Sequence, residues 1–300
     1  MKNQKKYCGV ITPLLTPVTE SGKIDEESVE KLINFSMSAG ASPFVLGTTG
    51  EVAHISYKNR ETLVKKAVQV VDGKSTLYAG IPDNCIENSI TAAKKYADMG
   101  VDVMVAHLPF FLPLTDDLIL KHYETLADNS PAPIIIYNIS SITRMSISVE
   151  ILEKLSEHPN IVGLKDSERD FSRTEKCVDK FKLREDFSLF IGWTVKSVEA
   201  LSLGFDGIVP NTANVVPALF QSLYTTAIAG DKEKAIQLQA KADLLSTLVQ
   251  GNKTMTRTIP ELKAIANQLG ICKPFVLPPL EKLSDEESAV LIKEFTSLEL

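Results

Sequence analysis

The sequence predicts an α/β fold, a (β/α)8 TIM barrel with a C-terminal helical domain, and three observations carry that expectation. Eight short, β-branched apolar runs recur between residues 9 and 209. Each is followed by a longer segment with apolar residues at helical spacing. Residues 231–300 then carry helical spacing with no new run. Near-continuous apolarity suits a strand covered on both faces of a parallel sheet, and strands alternating with helices make a barrel. A doubly wound open sheet shares the alternation and is the competing arrangement. No Gly-rich phosphate loop follows the first run, which removes the usual dinucleotide and Walker readings.

In chain order, the strand runs are 9–15, 43–46, 76–79, 101–106, 133–137, 161–164, 187–191 and 207–209. The first helical segment, 25–39, places Val29, Leu32, Ile33 and Met37 on one face, with Asp25 or Ser28 to cap its start and Gly40 to end it. Segments 57–71, 87–99, 115–129, 146–157, 171–182, 195–203 and 214–229 read the same way. Met99-Gly100-Val101 and Leu203-Gly204-Phe205 mark helix ends that pass directly into a strand. Residues 1–230 thus make the barrel and 231–300 the helical domain. The latter holds helices at 231–250, 255–269 and 285–297, with Pro274, Pro278 and Pro279 in an irregular connector.

Composition narrows the function classes. The chain is 44% hydrophobic and 23% charged with a net charge of −6, and it has no dense Lys/Arg block, so nucleic acid is not an expected partner. Cys8, Cys85, Cys177 and Cys272 are far apart, without metal-ligand or disulfide spacing. Residues 1–7 are basic but lack the apolar stretch of a signal peptide, and no apolar run is long enough to cross a bilayer. The expectation is a cytoplasmic protein with reduced thiols and no metal or other cofactor.

Active sites of such barrels lie at the C-terminal ends of the strands. Three segments there carry chemistry. Gly47-Thr48-Thr49-Gly50-Glu51 sets two hydroxyls in a tight turn that can aim N–H and O–H groups at a carboxylate. Tyr137 ends a buried run and brings a phenol, a proton donor or acceptor. Lys165 follows four apolar residues, where desolvation lowers an amine's pKa and prepares it to attack a ketone. Each has an ordinary reading: a chain reversal, a core-edge phenol, and a lysine that reaches solvent or pairs with Asp166. Together they are parts for Schiff-base chemistry on a small 2-oxo acid, with the iminium as electron sink.

The chain resembles the dihydrodipicolinate synthase/N-acetylneuraminate lyase family. The likeness rests on residues 9–17, the 47–51 turn, Tyr137-Asn138, Gly163-Leu164-Lys165-Asp166, Gly207-Ile208-Val209 and Thr212-Ala213-Asn214, in order over nearly the whole chain. It implies a class I aldolase or lyase acting on pyruvate or a 2-keto-3-deoxy acid, assembled as a homotetramer or homodimer. It makes Lys165 the nucleophile, Tyr137 the general acid/base, and Thr48 and Thr49 the carboxylate holders, with Thr48 also in the proton relay. Gly47, Val209 and Gly192 fall among its substrate-binding positions.

Several departures bear on the substrate. Ile142 stands where the lysine-pathway synthases usually carry Arg, with Arg144 two residues on. Thr194 and Val195 stand where sialate lyases carry an acidic pair. Phe111 replaces a tyrosine that the family lends to a neighbouring subunit's relay, leaving His107 the nearest titratable side chain. An aldolase for 2-keto-3-deoxy acids is the main expectation. The alternatives are the 4-hydroxy-tetrahydrodipicolinate synthase reaction, a dehydratase, and a non-catalytic 2-oxo-acid binder.

Overall fold

The apolar runs fold as β1 (Gly9–Pro13), β2 (Ser42–Val45), β3 (Tyr78–Gly80), β4 (Val103–His107), β5 (Ile134–Asn138), β6 (Ile161–Asp166), β7 (Ser188–Ile191) and β8 (Gly207–Ile208). They follow one another in chain order in a closed barrel, and the recorded strand pairs are parallel. The structure is a computed structural model that describes residues 5–251 and 253–300, so the start of the basic N-terminal segment lies outside it. No helix among the described residues is long and apolar enough to cross a membrane.

The backbone divides into two compact units. One holds residues 5–9 and Tyr78–Val209, hence β3 to β8. Its helices are α3 (Ile86–Met99), α4 (Asp116–Asn129), α5 (Ser140–Thr143), α6 (Val149–Leu155), α7 (Phe171–Phe181) and α8 (Ser197–Leu203). Ile134, Ile136, Leu164, Leu189 and Phe190 are sealed from solvent in its core. Each such side chain contributes about 1.5–3 kcal/mol by leaving water. Gly100 and Gly204 take φ of +109° and +127° and close α3 and α8 as the sequence predicts.

Pairing between β5 and β6 contains a bulge. Ile134 faces Ile161, yet Ile135 faces Gly163, so Val162 is the extra residue. Side chains alternate along a strand, so one inserted residue changes which of them face the same way downstream. Beyond the bulge Tyr137 stands opposite Lys165 and Asn138 opposite Asp166. Gly163 is needed at that point, since a Cβ there would lie 2.5 Å from the Ser188 carbonyl oxygen on β7.

The other unit holds Val10–Leu77 and Pro210–Leu300. It contains β1, β2, α1 (Glu26–Ser38), α2 (Tyr57–Val71), α9 (Pro217–Ile228), α10 (Lys232–Val249), α11 (Met255–Gln268) and α12 (Asp285–Ser297). Asp25 caps α1 by accepting from the Ser28 N–H, and Ser284 with Glu287 forms a capping box on α12. Asn214 closes the end of β1, accepting from the Leu15 N–H at 2.8 Å and donating to the Pro13 carbonyl at 2.9 Å. Residues 258–266 of α11 are buried without a break, including Glu261 and Lys263.

Three helical segments are shorter than their spacing predicts. The segment 214–229 begins as α9 only at Pro217, because a residue before proline is driven out of the helical region, and Val216 has ψ of +57°. A 3-10 turn, Asn211–Asn214, precedes it. A second, Thr194–Lys196, leads into α8. Residues 146–157 yield the shorter α6, preceded by the single turn of α5.

Candidate active site

Lys165 and Tyr137 meet in the first unit. Both are buried, at 5% exposure each, near the C-terminal ends of neighbouring strands. Lys165 Nζ lies 3.7 Å from the centre of the Tyr137 ring. Burial holds the amine below its ordinary pKa, opposed by the facing Tyr137 phenol. The alternative of a lysine running into solvent is therefore overturned. So is a pair with Asp166: that carboxylate takes Arg173 Nε at 2.7 Å.

His107 continues the row. It stands opposite Tyr137 in the β4–β5 register, with ring centres 6.2 Å apart and edge to face. Its Nδ1 lies 2.7 Å from the Leu108 carbonyl oxygen, a contact made by the tautomer with the proton on Nδ1. Burial lowers its pKa, and the charge of Lys165 lowers it further. The imidazole thus favours its neutral form, with Nε2 as an acceptor.

Gly192 and Val209 follow β7 and β8. The Gly192 N–H donates to the Asp166 carbonyl at 2.7 Å, and a Cβ at this position would collide with Ser167 Oγ. Val209 is buried and donates its N–H to the Ile191 carbonyl at 2.8 Å. Phe111 is 81% exposed in the loop after β4, where Asn84 Oδ1 accepts from its N–H and from that of Phe110. Ile142 is half-buried in α5, and Arg144 is exposed just beyond it.

Behind the Tyr137–Lys165 pair lies a polar network. Asn138 donates to Asp166 Oδ1 at 3.1 Å and to Glu168 Oε2 at 2.8 Å. The Glu168 N–H donates to Asp166 Oδ1 at 2.9 Å, and Ser146 donates to Glu168 Oε2 at 2.6 Å. Burial pushes the Asp166 carboxyl upward, countered by Arg173 and these donors. Burial is the largest single influence on the Arg173 cation and works against it, but the charge and hydrogen bond of Asp166 together with the charges of Cys177 and Glu168 outweigh it and leave its pKa raised. Sequence reasoning missed this network. Its signal was a polar pair directly after each reactive side chain, Asn138 and Asp166, with Arg173 on the next helix.

Gly47, Thr48 and Thr49 belong to the second unit, directly after β2. Thr49 is buried and Thr48 half-buried. Thr16 Oγ1 donates to the Gly50 carbonyl at 2.7 Å, and the Gly50 N–H donates to the Gly47 carbonyl at 3.1 Å. Gly50 is required, because a Cβ there would lie 2.9 Å from the Leu14 carbonyl oxygen, and one on Gly47 would press to 3.0 Å on the Phe44 ring. Among the described residues no cluster of three or more His, Cys, Asp or Glu side chains could hold a metal ion.

The family model described as "Dihydrodipicolinate synthetase family" matches residues 6–297. The chain belongs to this family. Its members are lyases of the class I aldolase type, and that is the enzyme class of this chain. It is 30% identical over 304 residues to a 4-hydroxy-tetrahydrodipicolinate synthase from Gluconobacter oxydans, covering 100% of this chain and 99% of the relative. Among solved structures, dihydrodipicolinate synthase from Bacteroides thetaiotaomicron superposes with a TM-score of 0.93 at 29% identity, covering 98% and 99% of the two chains. The chloride-inhibited dihydrodipicolinate synthase from Acinetobacter baumannii, complexed with pyruvate, gives 0.89 at 26% identity over 97% and 99%.

Proposed function

We propose that this family lyase forms a Schiff base between Lys165 and pyruvate or a 2-keto-3-deoxy acid. The observation that carries the reading is a buried amine, its pKa lowered by burial, lying 3.7 Å from the centre of a phenol ring on the adjoining strand. The neutral amine attacks C2, and the carbinolamine loses water to give an iminium. Tyr137, having given its proton to the departing C2 oxygen, takes the proton of the C4 hydroxyl as the iminium accepts the electron pair of the C3–C4 bond, which releases an aldehyde and leaves an enamine. Protonation at C3 and hydrolysis then free pyruvate and the amine. Run in reverse, the enamine attacks an aldehyde. Tyr137 carries protons to and from the C2 oxygen, a role worth about 10²–10⁴ in rate. Thr48 and Thr49 hold the carboxylate, with Thr48 also passing protons, and Gly47, Gly192 and Val209 line the substrate position. The pyruvate complex of the Acinetobacter baumannii relative supports this substrate class.

A second reading, the 4-hydroxy-tetrahydrodipicolinate synthase reaction, is favoured by the name of the Gluconobacter oxydans relative. Ile142 and Phe111 weigh against it. We also propose a catalytic part at 1–230 and a helical part at 231–300, a homotetramer or homodimer, and a cytoplasmic location. The test is incubation with pyruvate and borohydride followed by intact mass, with Lys165→Ala as control. One reduced pyruvate adduct in the parent and none in the variant is the expected result. No adduct in the parent, or the same adduct in both, refutes Lys165 as the nucleophile.

A further inference from the structure

The turn after β2 carries backbone strain at both shoulders. Leu46 and Glu51 take φ of +59° and +58°, a region that residues other than glycine rarely adopt and that bulky side chains adopt least. Such outliers are costly and persist only where their surroundings over-determine them. At Leu46 the surroundings are the core, since that side chain is fully buried. At Glu51 they are electrostatic. Its Oε1 lies 2.5 Å from Lys263 Nζ, and both side chains are wholly removed from solvent. Oε1 has no hydrogen-bond partner beyond that ion pair. Oε2 accepts from the Leu277 N–H at 2.7 Å, and Lys263 Nζ donates to the Phe275 carbonyl at 2.6 Å.

Hydrophobic residues could fill this volume at equal or better stability, because removing two charges from water is costly. The charges hold something in place instead. Glu51 adjoins the Gly47–Gly50 turn, and its N–H donates to the Thr48 carbonyl at 3.1 Å. A rotation of the Glu51 backbone toward ordinary φ would swing that N–H away and let the two hydroxyl-bearing residues move.

We infer that the buried Glu51–Lys263 pair is a positioning clamp that keeps the Thr48-Thr49 turn in its carboxylate-binding shape, so that affinity for the substrate's carboxylate depends on a side chain of α11. The inference rests on the proposed role of that turn. Glu51 and Lys263 touch no reacting atom; they act through the turn.

The test is the concentration dependence of borohydride trapping by pyruvate and by pyruvamide, which lacks the carboxylate. It is run on the parent, Glu51→Gln and the double variant Glu51→Gln/Lys263→Met. The double variant leaves no buried charge unpaired, so it folds if the single one does not, as circular dichroism would record. Half-saturating pyruvate is expected to rise about tenfold or more in the variants, since small misplacements of binding groups cost factors of this order. The maximum should fall far less, and half-saturating pyruvamide should stay near the parent's, so that the preference for the carboxylate collapses. Unchanged half-saturation for pyruvate in a folded variant overturns the clamp. Equal losses for pyruvate and pyruvamide overturn it too, since they mark general damage. A parent that discriminates but gives no preference change in the variants sinks the clamp alone. A parent that traps neither compound sinks the Schiff-base reading and the clamp with it.

Discussion

Replacing Arg173 by Met should destabilise the protein in a way that depends on pH with a definite sign. The Asp166 and Arg173 side chains are 3% and 8% exposed, so solvent barely screens them. Removing one partner of a buried pair typically costs about 3–5 kcal/mol. Asp166 keeps its bonds from Asn138 and the Glu168 N–H, which places the loss near the low end, about 3 kcal/mol. Methionine retains most of the aliphatic stem, so lost packing is a small part of this. The corresponding fall in Tm is roughly 5–10 °C.

The sign follows from Asp166. Its folded pKa is already raised by burial, and Arg173 is the strongest group holding it down. Without Arg173 it rises further. An acid whose pKa is higher folded than unfolded binds more protons when folded, so its ionisation costs stability as pH rises through the folded value. The Arg173→Met deficit is therefore largest at neutral pH and shrinks on acidification. Thermal unfolding followed by circular dichroism across neutral and acid pH measures the effect. Adding Asp166→Asn should recover part of the loss and remove most of the pH dependence. A deficit under about 1 kcal/mol, or one independent of pH, refutes the reasoning.

Lys165 and Gly163 give two further expectations. Burial depresses the folded pKa of Lys165, so the unfolded chain binds the proton more readily and the lysine costs stability at any pH below the unfolded value, in full once pH is below the folded one. Lys165→Met should raise Tm at neutral pH, with the gain shrinking as pH approaches the unfolded lysine range near about 10.4; no gain in a urea or thermal titration would show that the amine is not held in its unprotonated form by burial. Gly163→Ala forces a Cβ to within 2.5 Å of the Ser188 carbonyl oxygen, so the urea midpoint should fall by the equivalent of about 1–3 kcal/mol. An unchanged midpoint would mean that β6 and β7 can separate freely.

Much of the fold was legible because its signals are local. Apolar runs buried on both faces, Gly100 and Gly204 at helix ends, and Asp25 at a helix start each reflect short-range chemistry that the sequence displays directly. The sequence by itself also singled out Lys165, Tyr137 and the hydroxyl turn, since a reactive side chain at the end of a buried run stands out against its neighbours. What it left open was the set of partners. Whether Lys165 reaches solvent, pairs with Asp166 or meets Tyr137 depends on an extra residue at Val162 that resets the register of two strands. Asp166 finds Arg173, and Glu51 finds Lys263, more than two hundred positions away. Buried charges choose partners by three-dimensional proximity, because each must be compensated where it lies. No periodicity in the chain encodes that choice, and only the tertiary structure made it.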